Sequence, residues 1–225
     1  VTDIFIPELY FDFFYIQQGQ ITPLNAQTDT TVPLPQQSLK TLHSGRLTLQ
    51  LTLPLVLFGA RFALSFAERF WQKTLPANQF LPQQWLHEPV HDLNHFTSLV
   101  SHTVQARQKP RTAAPLLSPS LEESDWLAAY SPRHKRRLLK TTFGLSHKEM
   151  RAIDQIHQFL SQSCDFSSRN PRIIDYIDDE HFYDQPHLNN AFKKATGLSP
   201  LAYFEANSLL QDNLMAASYN ELTAP

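Results

Sequence analysis

Residues 87–91 read His-Glu-Pro-Val-His, and His95 follows four positions later. Two histidines around a glutamate in the pattern H-E-x-x-H are the ligands and base of a zinc hydrolase, provided both rings share one helical face. Pro89 opposes this, because proline is accepted only in the first turn of a helix. His87 would then lie outside the helix or at its cap, and the segment reads as a loop running into a helix. A metal-dependent hydrolase centred on His87, Glu88 and His91 is the enzyme rival. Cys164, the sole cysteine, stands beside Asp165 with no cationic neighbour in sequence, so it reads as an ordinary thiol. Asp178 and Asp179 are adjacent, and helical neighbours do not face one site. The five glycines form no phosphate loop, dinucleotide fingerprint or nucleophile elbow. No catalytic residue, metal ligand or cofactor is assigned, and the chain is read as a non-enzyme.

Cationic chemistry is concentrated elsewhere. Between Arg133 and Arg151 lie 7 basic residues and one acid, Glu149, although the chain as a whole carries a net charge of −2. This run sits inside an internal repeat. SPRHKRRLLKTTFGLSH, residues 131–147, aligns with DQPHLNNAFKKATGLSP, residues 184–200, at an offset of 53. His134/His187, Lys140/Lys193, Gly144/Gly197, Leu145/Leu198 and Ser146/Ser199 are identical, and Leu139/Phe192 are both apolar. Each copy reads as a capped helix closed by a Gly-Leu-Ser turn, with Ser131 or Asp184 at the N-cap. A further short helix precedes each, over 121–130 and 171–179. A capped helix behind a short helix is the helix-turn-helix layout, whose second helix enters the major groove of DNA.

The elements around these copies divide the chain. Before residue 120, residues 4–16 and 46–58 read as strands, and 46–53 alternates with period two. Pro33, Pro35 and Pro54 mark breaks. Residues 60–73 predict a helix with Phe62, Phe66 and Phe70 on one face, and 91–105 predict a second. Tyr10, Phe11, Phe13, Phe14 and Tyr15 read as strand core, with a small-molecule pocket as the other use of such a wall. A stretch rich in Pro, Ser and Ala, 107–119, reads as a linker. After it, 121–130, 132–141, 148–162, 171–179, 185–195 and 200–210 all predict helices.

Composition bounds the function. The chain has 225 residues, 42% of them apolar and 18% charged, so it can bury a core and is not a disordered chain. Its longest charge-free apolar stretch, 47–60, falls short of the roughly 20 residues a membrane span needs. A single cysteine fits a reducing compartment. The first residue is Val1, so a preceding segment is left open.

The second half resembles the arabinose-operon regulator (AraC/XylS) family of bacterial transcription factors. FYDQPHLNNAFKKATGLSPLAYF, residues 182–204, is similar to the second helix-turn-helix and closing signature of that family, and SPRHKRRLLKTTFGLS is similar to the first. FIPELYFDFFYIQQG and LPLVLFGARFALSFAERF, residues 5–19 and 53–70, look like the N-terminal domain of one regulator subgroup. The resemblance implies that Arg133, Arg136 and Arg137 meet base edges or phosphates and that Lys140 sits on the backbone. Gln185, Pro186, Asn189 and Asn190 are the matching positions of the second copy, with Lys193 and Lys194 on phosphate. Arg pairs with guanine or phosphate, and Asn and Gln pair with adenine. Leu188 and Phe192 would face inward. Three positions depart from the family pattern: Lys135 for an inward Leu, Asn190 for an Arg, and His181 for a turn Gly. Asp178, Asp179 and Glu180 lie just upstream.

The expected fold is therefore α+β. A small strand-rich sheet or partial barrel occupies 1–106, a linker 107–120, two helix-turn-helix units joined by a long helix 121–210, and a tail 211–225. The expected function is transcriptional regulation through double-stranded DNA, in the cytoplasm. The N-terminal part would take a small-molecule effector or form a homodimer, and no membrane is involved. The rival from another class is a ligand-binding or protein-interaction module whose DNA-binding half has degenerated.

Overall fold

Apolar runs of the first half pair into a five-stranded antiparallel sheet in the computed structural model, which describes residues 1–24, 32–64, 75–107, 131–163 and 185–205. The strands are β1 (Thr2–Phe5), β2 (Tyr10–Leu24), β3 (Gln37–Lys40), β4 (Leu47–Ala63) and β5 (Phe80–Pro82), in the spatial order β1-β4-β2-β3-β5. Helices follow: α1 (Leu93–Arg107), α2 (Pro132–Phe143), α3 (His147–Ser163), α4 (Gln185–Thr196) and α5 (Pro200–Glu205). The fold is α+β, strand-rich first and helical afterwards. Among the described residues no helix is long and apolar enough to cross a membrane.

The stretch 4–16 forms two strands rather than one. β1 and β2 lie on opposite edges of β4, so residues 6–9 must carry the chain across it, and Pro7 has no N–H to continue a ladder. That crossing also shapes the sheet. Phe5 pairs with Leu47 and Tyr10 with Ala63, at opposite ends of β4. A straight β4 would hold those ends about 50 Å apart, whereas the five steps from Phe5 to Tyr10 reach at most about 18 Å. β4 therefore curves back on itself, as in a partial barrel. The β2–β4 register shifts between Ile16 and Gln20, opposite Thr52–Leu57. A bulge of this kind kinks its strand and leaves a residue unpaired. Pro54 is housed there, inside β4 instead of ending it.

Residues 60–63 are likewise strand, not the start of a helix. β2 offers them a partner along its whole length: Phe62 lies opposite Phe11, and Arg61 opposite Asp12. Those pairings override the helical spacing of the phenylalanines. Residues 65–74, with Phe66 and Phe70, lie outside the described residues. So do 108–130 and 164–184, which hold most of the expected linker, both leading short helices, Cys164, His181 and Asp184.

From Phe11 to Ile16, β2 is buried on both faces. Phe11, Phe13 and Tyr15 point into the largest apolar cluster with Trp85, Phe96 and Val100. Phe13 stacks on Trp85 at 4.5 Å between ring centroids. The Trp85 and Leu86 N–H groups both donate to Gln37 Oε1 at 2.9 Å, which holds the segment against β3. The aromatic run is thus core.

On the opposite face, the pairing of β2 with β3 and β4 sets Lys40, Asp12 and Arg61 in one row. Lys40 Nζ lies 2.6 Å from Asp12 Oδ2, and Arg61 Nε donates to Asp12 Oδ1 at 2.8 Å. Glu8 closes the group, its carboxylate accepting from Arg61 Nη1 and Nη2 at 3.0 and 2.6 Å. Glu8, Asp12 and Lys40 are almost wholly buried. Burial alone would raise the Asp12 carboxyl, but Lys40 and Arg61 hold it at about 2.

The helical half shares its core with the sheet. Leu139, Phe143, Leu145, Met150 and Ile153 join the cluster of Phe11, Phe13 and Trp85. Ile156, Phe159, Leu160, Leu188, Phe192 and Tyr203 form a second cluster with Ile6 from the β1–β2 crossing. His157 on α3 also makes a 2.7 Å hydrogen bond to the Pro7 carbonyl.

Candidate nucleic-acid interface

The repeat seen in sequence is a repeat in structure. α2 runs 132–143 and α4 runs 185–196, the same twelve positions displaced by 53 at both ends. α3 and α5 begin at His147 and Pro200, again 53 apart. Ser131 is extended, with φ −61° and ψ 152°, and its hydroxyl accepts from the His134 N–H at 3.4 Å. Pro132 follows at the first helical position, where a missing N–H is harmless. Each helix ends on a left-handed glycine, Gly144 at φ 75° and Gly197 at φ 73°. The glycine N–H returns to the carbonyl of Lys140 or Lys193, at 3.0 and 2.8 Å.

Both helices bury one face and present the other. Leu139 and Phe143 are buried on α2, and Leu188, Phe192 and Thr196 on α4. Thr196 takes the place of Phe143, its hydroxyl donating to the Phe192 carbonyl at 2.7 Å. Arg133, Arg136, Arg137 and Lys140 are exposed on α2. Gln185, Pro186, Asn190, Lys193 and Lys194 are exposed on α4, and Asn189 is half-buried. Each copy therefore gathers its expected contact residues on a solvent-facing helix.

On the first copy, Arg136 and Arg137 make contacts that involve no carboxylate. Arg136 Nε donates to the Pro132 carbonyl at 3.1 Å, and Arg137 Nη2 lies 3.3 Å from His134 Nδ1. Neither guanidinium is neutralised by these contacts. Lys140 differs, because its Nζ is 3.9 Å from Glu149 Oε2. Glu149 belongs to a capping box at the start of α3. It accepts from the Ser146 N–H and hydroxyl at 2.7 and 2.6 Å, while the Ser146 hydroxyl accepts from the Glu149 N–H at 3.3 Å. Those hydrogen bonds from Ser146 hold the Glu149 carboxyl below its ordinary range. The Ser-x-x-Glu spacing at 146–149 was a legible sign of this box.

The His87 segment lacks the helix that a zinc site needs. α1 begins at Leu93, so His87, Glu88 and His91 all lie ahead of it and are exposed. His91 and His95 stack at 5.0 Å between ring centroids, and His95 Nε2 is 3.9 Å from Glu88. Among the described residues no group of three His, Cys, Asp or Glu side chains is placed to hold a metal ion.

Sequence reasoning missed a corner formed by residues 41–46 and 77–79. It prolongs the β3–β5 ladder, in which Lys40 pairs with Phe80. Thr41 and Gln79 exchange backbone and hydroxyl hydrogen bonds at 3.0 Å. Asn78, at φ 61°, donates its N–H to the Leu42 carbonyl at 2.7 Å and accepts from the Ser44 N–H at 2.8 Å. His43 is buried there, with Nδ1 2.7 Å from the Thr41 carbonyl. Burial and the nearby Lys40 ammonium push its imidazole down to about 3, so it is neutral.

No protein-family model matches the chain, and no curated protein matches it either. Among solved structures, the 1.65 Å structure of ToxT from Vibrio cholerae is similar, with a TM-score of 0.48 at 13% identity over 92% of this chain and 94% of that one. Wild-type ToxT from strain SCE256 with an unsaturated fatty acid bound gives 0.42 at 11% identity, over 92% and 95%. ToxT from strain O395 gives 0.42 at 12% identity, over 93% and 98%.

Proposed function

We propose that the chain is a transcriptional regulator that reads double-stranded DNA through α2 and α4 as two recognition helices. The observation that carries this reading is the structural repeat. Two helices of equal length, each closed by a left-handed glycine, bury their apolar faces and present Arg133, Arg136 and Arg137 in one copy and Gln185, half-buried Asn189 and Asn190 in the other. Arginine forks suit guanine and phosphate, and carboxamides suit adenine. Lys140, Lys193 and Lys194 neutralise the backbone. Residues 121–210 form the double helix-turn-helix domain and 107–120 the linker to 1–106. The N-terminal part senses an effector or mediates dimerisation, a role supported by the resemblance of residues 5–19 and 53–70 to one regulator subgroup. No reaction is assigned. One cysteine in the whole chain supports a cytoplasmic location.

The test is titration into a random-sequence duplex library at several salt concentrations. Up to six cations meet phosphate or bases, so log K against log salt has a slope of about −5 at most. Arg136→Ala with Arg137→Ala shallows that slope by about 2. A folded sample that shows no salt-dependent binding at about 50 mM salt rejects the DNA reading and favours the interaction module with a degenerate second half.

A further inference from the structure

The Gly-Leu-Ser turns that close α2 and α4 both rest on the corner of residues 41–46 and 77–79. A Cβ at Gly144 would stand 2.6 Å from the Ala77 backbone N and 2.7 Å from the Ala77 Cβ. A Cβ at Gly197 would stand 3.2 Å from Arg46 Cδ and Nε and 3.4 Å from Cζ. The two copies therefore touch the sheet half through equivalent residues, one on a methyl group and one on a guanidinium stem. Arg46 makes no ion pair among the described residues. It lies at the C-terminal end of α4, where unpaired carbonyls favour a cation.

The corner itself is stiff. Its two arms continue directly into β3 and β5, and Thr41, Gln79, Leu42, Asn78 and Ser44 lace them together. The laced backbone beside Ala77 fixes where α2 ends, and the Arg46 side chain covers the turn that ends α4. The opposite ends, with Arg133 on α2 and Gln185 on α4, lie a full helix length from it.

We propose that Ala77 and Arg46 are positioning residues that set the separation and relative orientation of α2 and α4. On the reading of those helices as recognition helices, on which this rests, they set the spacing of the two base sequences the protein reads. Two recognition helices on one body demand one spacing along the duplex. A change at the corner changes that spacing without changing which bases each helix prefers.

The experiment places nitroxide labels at Thr141→Cys and Lys194→Cys, equivalent positions of the two copies, in a Cys164→Ser background. The distance between them is measured by pulsed electron paramagnetic resonance in the full chain. Ala77→Leu forces bulk against Gly144, where no space is left, and shifts the mean distance by more than the width of the original distribution. Ala77→Gly removes the supporting methyl without adding bulk and broadens the distribution, so the proposal stays open to test if the leucine variant does not fold. Arg46→Ala broadens it too, and Thr52→Ala, on the exposed side of β4, leaves it unchanged. Unchanged distributions in folded Ala77 and Arg46 variants overturn the proposal. In parallel, wild type and the folded variants select from a random duplex library. A changed spacing between two unchanged base motifs supports positioning, and a changed distance with unchanged spacing overturns it. If the wild type selects no duplex, the DNA reading fails alone, and the label distances still decide whether the corner positions the helices.

Discussion

Gly144 and Gly197 occupy the same place in the two copies and have nearly the same backbone angle, 75° and 73°, but different neighbours. Alanine at either position must adopt a left-handed conformation, which costs about 1–2 kcal/mol. At Gly197 little is added, because the contacts at 3.2–3.4 Å are to the flexible side chain of Arg46, which can move into solvent. At Gly144 the new methyl would meet the Ala77 backbone N at 2.6 Å, and backbone in a hydrogen-bonded corner cannot step aside. Overpacking of that kind adds about 1–3 kcal/mol. Gly144→Ala should therefore lose about 2–5 kcal/mol in total and Gly197→Ala about 1–2. Urea unfolding followed by tryptophan fluorescence measures both, with the slope checked for constancy. Ala77→Gly in the Gly144→Ala background should recover part of the excess, since it removes the methyl contact but not the backbone one. Equal losses at the two glycines, or no recovery in the double variant, would refute the claim that the corner presses on the first turn harder than on the second.

Arg61→Met should destabilise the chain by about 3–5 kcal/mol, because it leaves the buried carboxylates of Glu8 and Asp12 with Lys40 alone; a loss below about 1 kcal/mol in urea unfolding would show that the group is not held as described. His43 gives the fold a pH dependence with a definite sign. Its folded value near 3 lies below the unfolded 6.5, so its contribution is full above about 6.5 and is lost as pH falls toward 3, by about 1.4 kcal/mol per unit. Urea midpoints between pH 7.5 and 5 should fall in the wild type and fall less steeply in a folded His43→Gln variant. Glu149→Ala should act in opposite directions on two measurements. Loss of the capping box lowers stability by about 1 kcal/mol, while release of Lys140 raises affinity for duplex DNA at low salt. Arg133→Ala with Arg137→Ala should shallow the salt dependence of binding across all sequences. Asn189→Ala with Asn190→Ala should leave that slope unchanged and reduce base discrimination.

Local signals were the readable part of this chain. The period-two run at 46–53 became the first part of β4, and the Ser-Pro and Gly-Leu-Ser punctuation bounded α2 to within two residues. Both depend on neighbours a few positions away. The misreadings share another origin. The spacing of residues 60–63 and the proline at position 54 carry only local information, yet their conformation is decided by β2, more than thirty residues earlier. The charged row was hidden for the same reason. Asp12, Lys40 and Arg61 meet only because two strand registers place them side by side. Of the candidate interface, the exposed residues of α2 and α4 were legible because the repeat aligns them. Ala77 and Arg46 were not, since an alanine acquires meaning only from the glycine that rests on it.

The two copies share a backbone but not a surface, and the difference bears on how they would divide the task. α2 carries four exposed cations, Arg133, Arg136, Arg137 and Lys140, spread from its first turn to its last. α4 has its Lys and Arg residues only in its last turn, at Lys193 and Lys194, and its first two turns expose neither. Phosphate attraction is long-ranged and indifferent to sequence, whereas carboxamides act only at hydrogen-bond distance and only on the right edge. A chain with this asymmetry would be drawn to DNA chiefly through its first copy, while its second adds discrimination with little attraction of its own. The second copy can then contribute only if it is delivered to the correct place by the first. That requirement is mechanical, and it gives a physical reason for α2 and α4 both to end against the sheet half, at Ala77 and Arg46.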